Sequence, residues 1–435
     1  MASPENDLLA RMRDDWNRRA QEDANYYVAF GRRDQDDDEF FSTATDVLRD
    51  LEKEMRRMPL PSSPRARRAL EIGCGPGRLL KPLSRRFGEI HGVDVSEEMI
   101  RLARQKLRDI PHAYAHATRG ADLAAFADDS FDFVYSYAVF QHIPDREVVF
   151  SYLREVRRVL KPDGILRCQF NGLPASAASY DTWNGVRLST EDVSGFARTH
   201  HFQLLALEGA QTQYMWTTWR KRPADWRPSP ASGARIRRVT NAYSAEPVVP
   251  ARGRFAFAAV WVQNLPDEFD LNHAAVLIDG ARVQPTYISH PEGDGLQQVN
   301  APLPADVRTG LVPVQLLWLD QPLSNTAWMR VIPPGPAVPR VVAVTDGVNL
   351  LSGSRIVSGA VKITLEEVTP PLDFAAQVAG LPVSDIDIFC TDPIPPRVEI
   401  NCQLPPHLAP GPYNLEMRLG SRRLPPVAIE VAARS

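Results

Sequence analysis

Ala69-Leu-Glu-Ile-Gly-Cys-Gly-Pro-Gly-Arg-Leu-Leu80 decides the fold of the N-terminal part of this chain. An apolar run ends in glycines at 73, 75 and 77 and a helical pattern follows, so the stretch reads as a buried strand, a tight turn and a helix start. Glycines at alternate positions clear one side of the turn of Cβ atoms and let its backbone approach a nucleotide-like ligand closely. Glu71 sits inside the strand end. Asp94 closes the next apolar run, Ile90-His-Gly-Val-Asp94, roughly the twenty residues onward at which a ribose-binding acid is expected. Strand, glycine turn, helix, strand and acid make half of a doubly wound α/β domain.

The glycine spacing narrows the ligand. A dinucleotide fingerprint, G-x-G-x-x-G, uses its third glycine to pack the helix closely beneath a pyrophosphate. Here the order is G-x-G-x-G and Arg78 holds the third-glycine position. Further along come Ser130-Phe-Asp-Phe-Val-Tyr-Ser136, Phe140-Gln-His-Ile-Pro144 and Tyr152-Leu-Arg-Glu-Val-Arg-Arg-Val-Leu-Lys-Pro-Asp-Gly-Ile-Leu166. Taken in that order with the glycine turn, these pieces resemble the class I S-adenosylmethionine-dependent methyltransferases. The resemblance implies a Rossmann-like, doubly wound seven-stranded sheet carrying the methyl donor S-adenosylmethionine, with S-adenosylhomocysteine as product. It implies donor contacts from Glu71, the backbone at Gly73, Cys74, Gly75 and Gly77, and Asp94 on the ribose. Val95 and Met99 would lie beside the adenine, Asp122 at its edge and Ser136 at the methionine part. Near the acceptor it points to Gln141, His142 and Asn171. His142 is either a base near neutrality or a cap for the next helix.

The 435 residues allow two to four domains, and 50 basic against 53 acidic side chains leave a formal charge of −3. No long basic run suggests nucleic acid, and no stretch has the apolar length of a membrane helix. The first residues lack the basic start and apolar segment of a secretory signal, so cytoplasm is the expected compartment. Cys74, Cys168, Cys390 and Cys402 form no metal spacing, and no metal is expected. Cys390 and Cys402 flank a turn at Pro393 to Pro396 and can face each other on neighbouring strands; two reduced thiols are the preferred reading.

Ahead of the glycine turn, residues 1–64 read as a helical cap, broken by Pro59, Pro61 and Pro64. Tyr26, Tyr27, Phe40 and Phe41 either line the donor and acceptor pocket or staple these helices to the core. The methyltransferase domain spans 65–221 and a Pro-rich linker 222–238. Beyond it the pattern changes. Of 38 prolines, 25 follow Pro230, and short alternating apolar runs replace helical periods.

Two blocks, 239–332 and 339–433, read as all-β sandwiches. Val299-Asn-Ala-Pro-Leu-Pro304 with Gly310-Leu-Val-Pro-Val314 stands where Leu404-Pro-Pro406 with Gly411-Pro-Tyr-Asn-Leu415 stands in the second block, an internal repeat. They are similar to the immunoglobulin-like (IPT/TIG-like) modules of bacterial surface and carbohydrate-active proteins. The resemblance implies binding, homodimer formation or protein and carbohydrate contact. The function expected is methyl transfer to a small-molecule or glycan acceptor. Its alternative is a non-catalytic scaffold or sensor that binds the donor and assembles through the β modules.

Overall fold

The computed structural model describes residues 4–29, 33–61, 66–175, 180–253, 255–335, 338–348, 354–368, 373–392 and 397–432. They divide into two units, Met1–Val28 with Asp37–Pro333, and Ala29–Asp36 with Pro334–Ser435. In the first unit the helices α1 (Pro4–Ala29), α2 (Asp37–Ser42) and α3 (Thr45–Met55) precede the sheet. Extended backbone at Asp23 breaks α1, and the Asp23 carboxylate takes the Tyr26 N–H beyond the break.

The alternation that follows is β1 (Arg68–Ile72), α4 (Leu80–Leu83), β2 (Glu89–Asp94), α5 (Glu97–Leu107), β3 (Ala113–Ala117), β4 (Phe131–Ser136), α6 (Arg146–Val159), β5 (Leu160–Phe170), α7 (Thr190–Thr199), β6 (Phe202–Glu208) and β7 (Met215–Lys221). The strands lie in the order β3-β2-β1-β4-β5-β7-β6, with β7 antiparallel to β5 and β6. The order reverses between β1 and β4. That switch point opens a crevice at the carboxyl ends of both strands. Ser96, Asp145 and Ser189 cap α5, α6 and α7 with side-chain hydrogen bonds, so each of these helices starts at a defined point. Leu70, Val134 and Leu166 are fully buried across the sheet, each contributing roughly 1.5–3 kcal/mol.

The sheet does not end at β6. After it come β8 (Arg235–Asn241), β9 (Val248–Pro250), β10 (Phe257–Gln263), β11 (Ala274–Ile278), β12 (Ala281–Val283), β13 (Tyr287–Ile288), β14 (Leu296–Pro302), β15 (Gly310–Trp318), β16 (Gln321–Pro322) and β17 (Ala327–Ile332). Tyr287 of β13 pairs with Ala206 of β6, and the order continues β13-β14-β10-β8, giving eleven strands. A second sheet, β12-β11-β15-β17-β9, packs with it in a shared core. The expected linker 222–238 is therefore not a spacer. Arg222 is buried and bonds Asp163 and Asp267, the Trp318 indole donates to the Ser229 carbonyl at 2.8 Å, and β8 already begins at Arg235.

The second unit carries β18 (Arg340–Asp346), β19 (Arg355–Ile356), β20 (Ala360–Glu366), β21 (Phe374–Val378), β22 (Leu381–Pro382), β23 (Ser384–Asp392), β24 (Arg397–Gln403), β25 (Gly411–Leu419), β26 (Arg422–Arg423) and β27 (Val427–Val431). Its sheets run β18-β20-β24-β23 and β19-β27-β25-β21-β22. They reproduce β8-β10-β14-β13 and β9-β17-β15-β11-β12 strand for strand, including the parallel pair (β9 with β17, β19 with β27). The repeat seen in the sequence is thus a repeat of topology.

Cys74, Cys168 and Cys402 are free and buried. Cys390 on β23 stands opposite Val398, while Cys402 of β24 pairs across to Val361, so the two cysteines are not register partners. The expected turn at Pro393 to Pro396 lies outside the described residues. Among the described residues no helix is long and apolar enough to cross a membrane, and no cluster of metal-ligating side chains is present.

Candidate active site at the glycine turn

Gly73, Gly75 and Gly77 have φ of +70°, +50° and +91°, the left-handed region that L side chains avoid. A Cβ on Gly73 would stand 2.2 Å from Val139 Cγ2 in the loop after β4, and one on Gly75 would stand 3.0 Å from Val28 Cγ2 of α1. Gly73 and Gly75 are required by conformation and by space, Gly77 by conformation alone.

The turn has no spare amide. Gly73 and Cys74 both donate to the Val93 carbonyl, at 2.8 and 3.0 Å. Gly75 donates to Asp94 Oδ2 at 2.9 Å and Gly77 to the Cys74 carbonyl at 2.9 Å. Pro76 has no N–H to offer. A phosphate-binding loop works by leaving such amides open to an anion. This turn is buried except at Gly73, has no open amide to offer an anion, and lies beside the carboxyl groups of Glu71 and Asp94, which suits a cation. The expected donor contact through the backbone at Gly73, Cys74, Gly75 and Gly77 is accordingly one of close approach, without amide donation.

Asp94 is oriented from both sides. Its Oδ2 takes Gly75 N–H, its Oδ1 takes Ser96 N–H at 2.9 Å, and each oxygen keeps a lone pair for an outside hydroxyl. Burial pushes its pKa up, and the amides of Ser96, Gly75 and Val95 draw it back. Glu71 is buried in β1, and burial pushes its pKa up to about 8 against the pull of the Tyr135 hydroxyl, Arg78 and the Leu80 amide. Tyr135 donates to Glu71 Oε2 at 3.0 Å. Asp122 and Asp94 both act on the Tyr152 hydroxyl, and Asp122 Oδ1 accepts from Ala124 N–H. Val95 lines the Gly120 turn, where a Cβ would come within 3.2 Å of it.

Several expected roles change. Ser136 is fully buried and its hydroxyl donates to the Ile72 carbonyl at 3.1 Å, tying β4 to β1. Met99 packs with Ala20 and Ala24 between α1 and α5 and is only 1% exposed. Asn171 accepts Leu173 N–H with its side-chain oxygen, a local turn at the end of β5. Phe40 is fully buried beneath Lys106, and Lys81 covers Phe41, so both serve packing. Tyr26 is buried in α1, its ring edge-on to Tyr27, and the Tyr27 hydroxyl bonds Glu22 while its ring meets Trp183.

His142 is no base near neutrality. Its Nδ1 lies 2.8 Å from the Trp183 carbonyl, which requires the proton there, and its Nε2 lies 3.2 Å from the Gln141 amide nitrogen, which requires a lone pair there. Burial first, and then Arg19, push its pKa down to about 4. Gln141 in turn accepts from Gln169, whose own Oε1 accepts Ala138 N–H at 2.9 Å. Gln169 was not singled out from the sequence. Its signal was there to read, a polar residue between Cys168 and Phe170 in the mostly apolar second half of β5, which is buried throughout.

The sheet order, with the glycine turn and its neighbouring acids at the switch point, is that of a doubly wound α/β domain, and residues 70–168 match the family described as methyltransferase domain. Phosphoethanolamine N-methyltransferase 2 of Caenorhabditis elegans is 35% identical over 97 residues, 22% of this chain and 22% of that protein. Ubiquinone biosynthesis O-methyltransferase of Ruegeria pomeroyi is 36% identical over 26% of this chain and 44% of its own. Trans-aconitate 2-methyltransferase of Azoarcus sp. is 33% identical over 31% and 49%. The chain spans less than half the length of these relatives. Residues 70–168 are thus similar to a methyltransferase domain, a class whose cofactor is S-adenosylmethionine.

Proposed function

We propose that this protein transfers a methyl group from S-adenosylmethionine to a small-molecule or glycan acceptor. The observation that carries the reading is the glycine turn with every amide spent internally and two acids beside it, a cradle for a zwitterionic sulfonium compound and a poor one for a pyrophosphate. The names of the relatives, which speak of phosphoethanolamine, trans-aconitate and ubiquinone biosynthesis, support a small acceptor. A glycan acceptor, and immunoglobulin-like modules that recognise it, rest on the two-sheet topology of the β regions alone.

The donor supplies a methyl group already activated on sulfur, and the residues need only hold two partners in line. Asp94 would accept from the ribose hydroxyls, Glu71 would balance the amino acid end, and Asp122 would meet the adenine edge. The Gln169–Gln141–His142 chain fixes the wall beyond β4 in one tautomer and one orientation. With His142 neutral, the acceptor must arrive with its nucleophile ready or release its proton to water. The proposed compartment is the cytoplasm. Replacing Asp94 with Ala is expected to weaken donor binding in calorimetry at least tenfold, about 1.4 kcal/mol. Undiminished affinity would mean that the ribose lies elsewhere. Formation of S-adenosylhomocysteine with fractionated cell extract tests turnover, and binding without turnover would favour the sensor.

A further inference from the structure

A cavity of about 380 Å³ lies at the other edge of the sheet, where the first residues of β6 and the last of β7 meet the loops around β10, β13 and β14. All of it lies within the first unit. Its volume is that of a small-metabolite site. Arg57, just past α3, and Arg220 of β7 line it, with His290 on its exposed rim.

The wall carries more positive than negative charge. Asp267 is its acid, and it is already shared by Arg220, whose Nη1 donates to Oδ1 at 3.0 Å, and by Arg222. Arg57 pairs with Glu54 through Nε at 2.6 Å and donates Nη2 to the Ile288 carbonyl. Burial, followed by Arg57, Arg220 and Arg56, holds the His290 imidazole below its ordinary range, which reports the same positive field.

Two polar atoms here lack partners. Arg220 Nε is buried without an acceptor, and Gln203 Oε1 is buried without a donor in a residue only 1% exposed. The Gln203 amide cannot be reversed to relieve this, because its nitrogen donates to the carbonyls of both Asp267, at 2.6 Å, and Phe269, at 3.0 Å. A buried acceptor left open costs roughly 1–3 kcal/mol unless something donates to it. Both residues line the cavity, so a ligand with oxygens that accept from arginine and a hydroxyl that gives to Gln203 would satisfy them once these side chains turn toward it.

We propose that this cavity is a second ligand site, binding a small hydroxylated anion of sugar-phosphate or hydroxycarboxylate chemistry. The anionic oxygens face Arg220 and Arg57, and a hydroxyl donates to Gln203 Oε1. Nothing in the assignment depends on the donor site at the opposite edge.

Calorimetric titration of the full chain with glucose 6-phosphate, citrate and glucose tests it. One anion or both should bind saturably, and glucose should not. Binding of glucose 6-phosphate alone assigns a phosphate ester, and binding of citrate alone a hydroxycarboxylate. Arg220→Gln, which leaves Asp267 paired with Arg222, and His290→Glu, which adds a negative charge at the rim, should each weaken binding at least about tenfold. The melting temperature by circular dichroism serves as the folding control and should hold in both variants. If Arg220→Gln fails that control, His290→Glu decides. No saturable heat with either anion, glucose binding as well as its phosphate, or unchanged affinity in the folded variants overturns the proposal.

Discussion

Glu71 is a carboxyl held protonated at neutral pH by its own burial, and that has two measurable results. Its folded pKa of about 8 lies above the ordinary 4.5, so its contribution to stability is fully present below about pH 4.5 and is lost as pH rises through about 8. The melting temperature of the unliganded protein should fall across that window more steeply than in Glu71→Gln, and parallel slopes would exclude the assignment. An ammonium group arriving beside Glu71 favours the ionised form. Donor binding near neutrality should therefore release a proton, seen as a dependence of the binding enthalpy on buffer ionisation heat, and Glu71→Gln should abolish it.

At the scale of elements, the glycine turn is constrained both by its backbone conformation and by its neighbours. Gly73→Ala faces both a φ of +70° and an overlap with Val139, and should cost at least about 1–3 kcal/mol in urea unfolding. Adding Val139→Ala should return the overlap part and leave the conformational part, which a double-mutant cycle separates.

The same turn was fully legible in sequence because its demands are local. Glycine for positive φ and an acid one strand later need no knowledge of distant residues. Strand β13 was not legible. Two residues carry no period, and its pairing with β6 is a contact between Tyr287 and Ala206 that no spacing announces. The stretch after Lys221 misled for a related reason. Proline and arginine read as solvated linker, while Arg222 is itself buried and pairs with the carboxylates of Asp163 and Asp267. His142 stood where a base is useful, and only the fold could reveal that the Trp183 carbonyl and Gln141 occupy both of its nitrogens.

At the scale of the molecule, the two β regions share a topology and differ in independence. The second has a hydrophobic core of its own, built from Val361, Ile363, Ile400, Leu415 and their neighbours, with no member from the first unit. The core of the first runs without a break from Val262 and Trp318 into Phe170 and Trp219 of the methyltransferase sheet. A fragment of residues 334–435 should melt cooperatively by circular dichroism, whereas residues 235–333 expressed alone should not. Cooperative melting of the latter would show that the shared core is dispensable.

The Tyr287–Ala206 pairing also sets a rule for protein engineering. Exchanging residues 235–333 for an unrelated module would strip β6 of its neighbour and leave a row of unsatisfied backbone groups along a mostly buried, apolar strand. Such a rim invites end-to-end stacking of chains. A chimera would stay dispersed only if the graft brought its own strand to that seam, or if charged side chains were written into β6 beforehand.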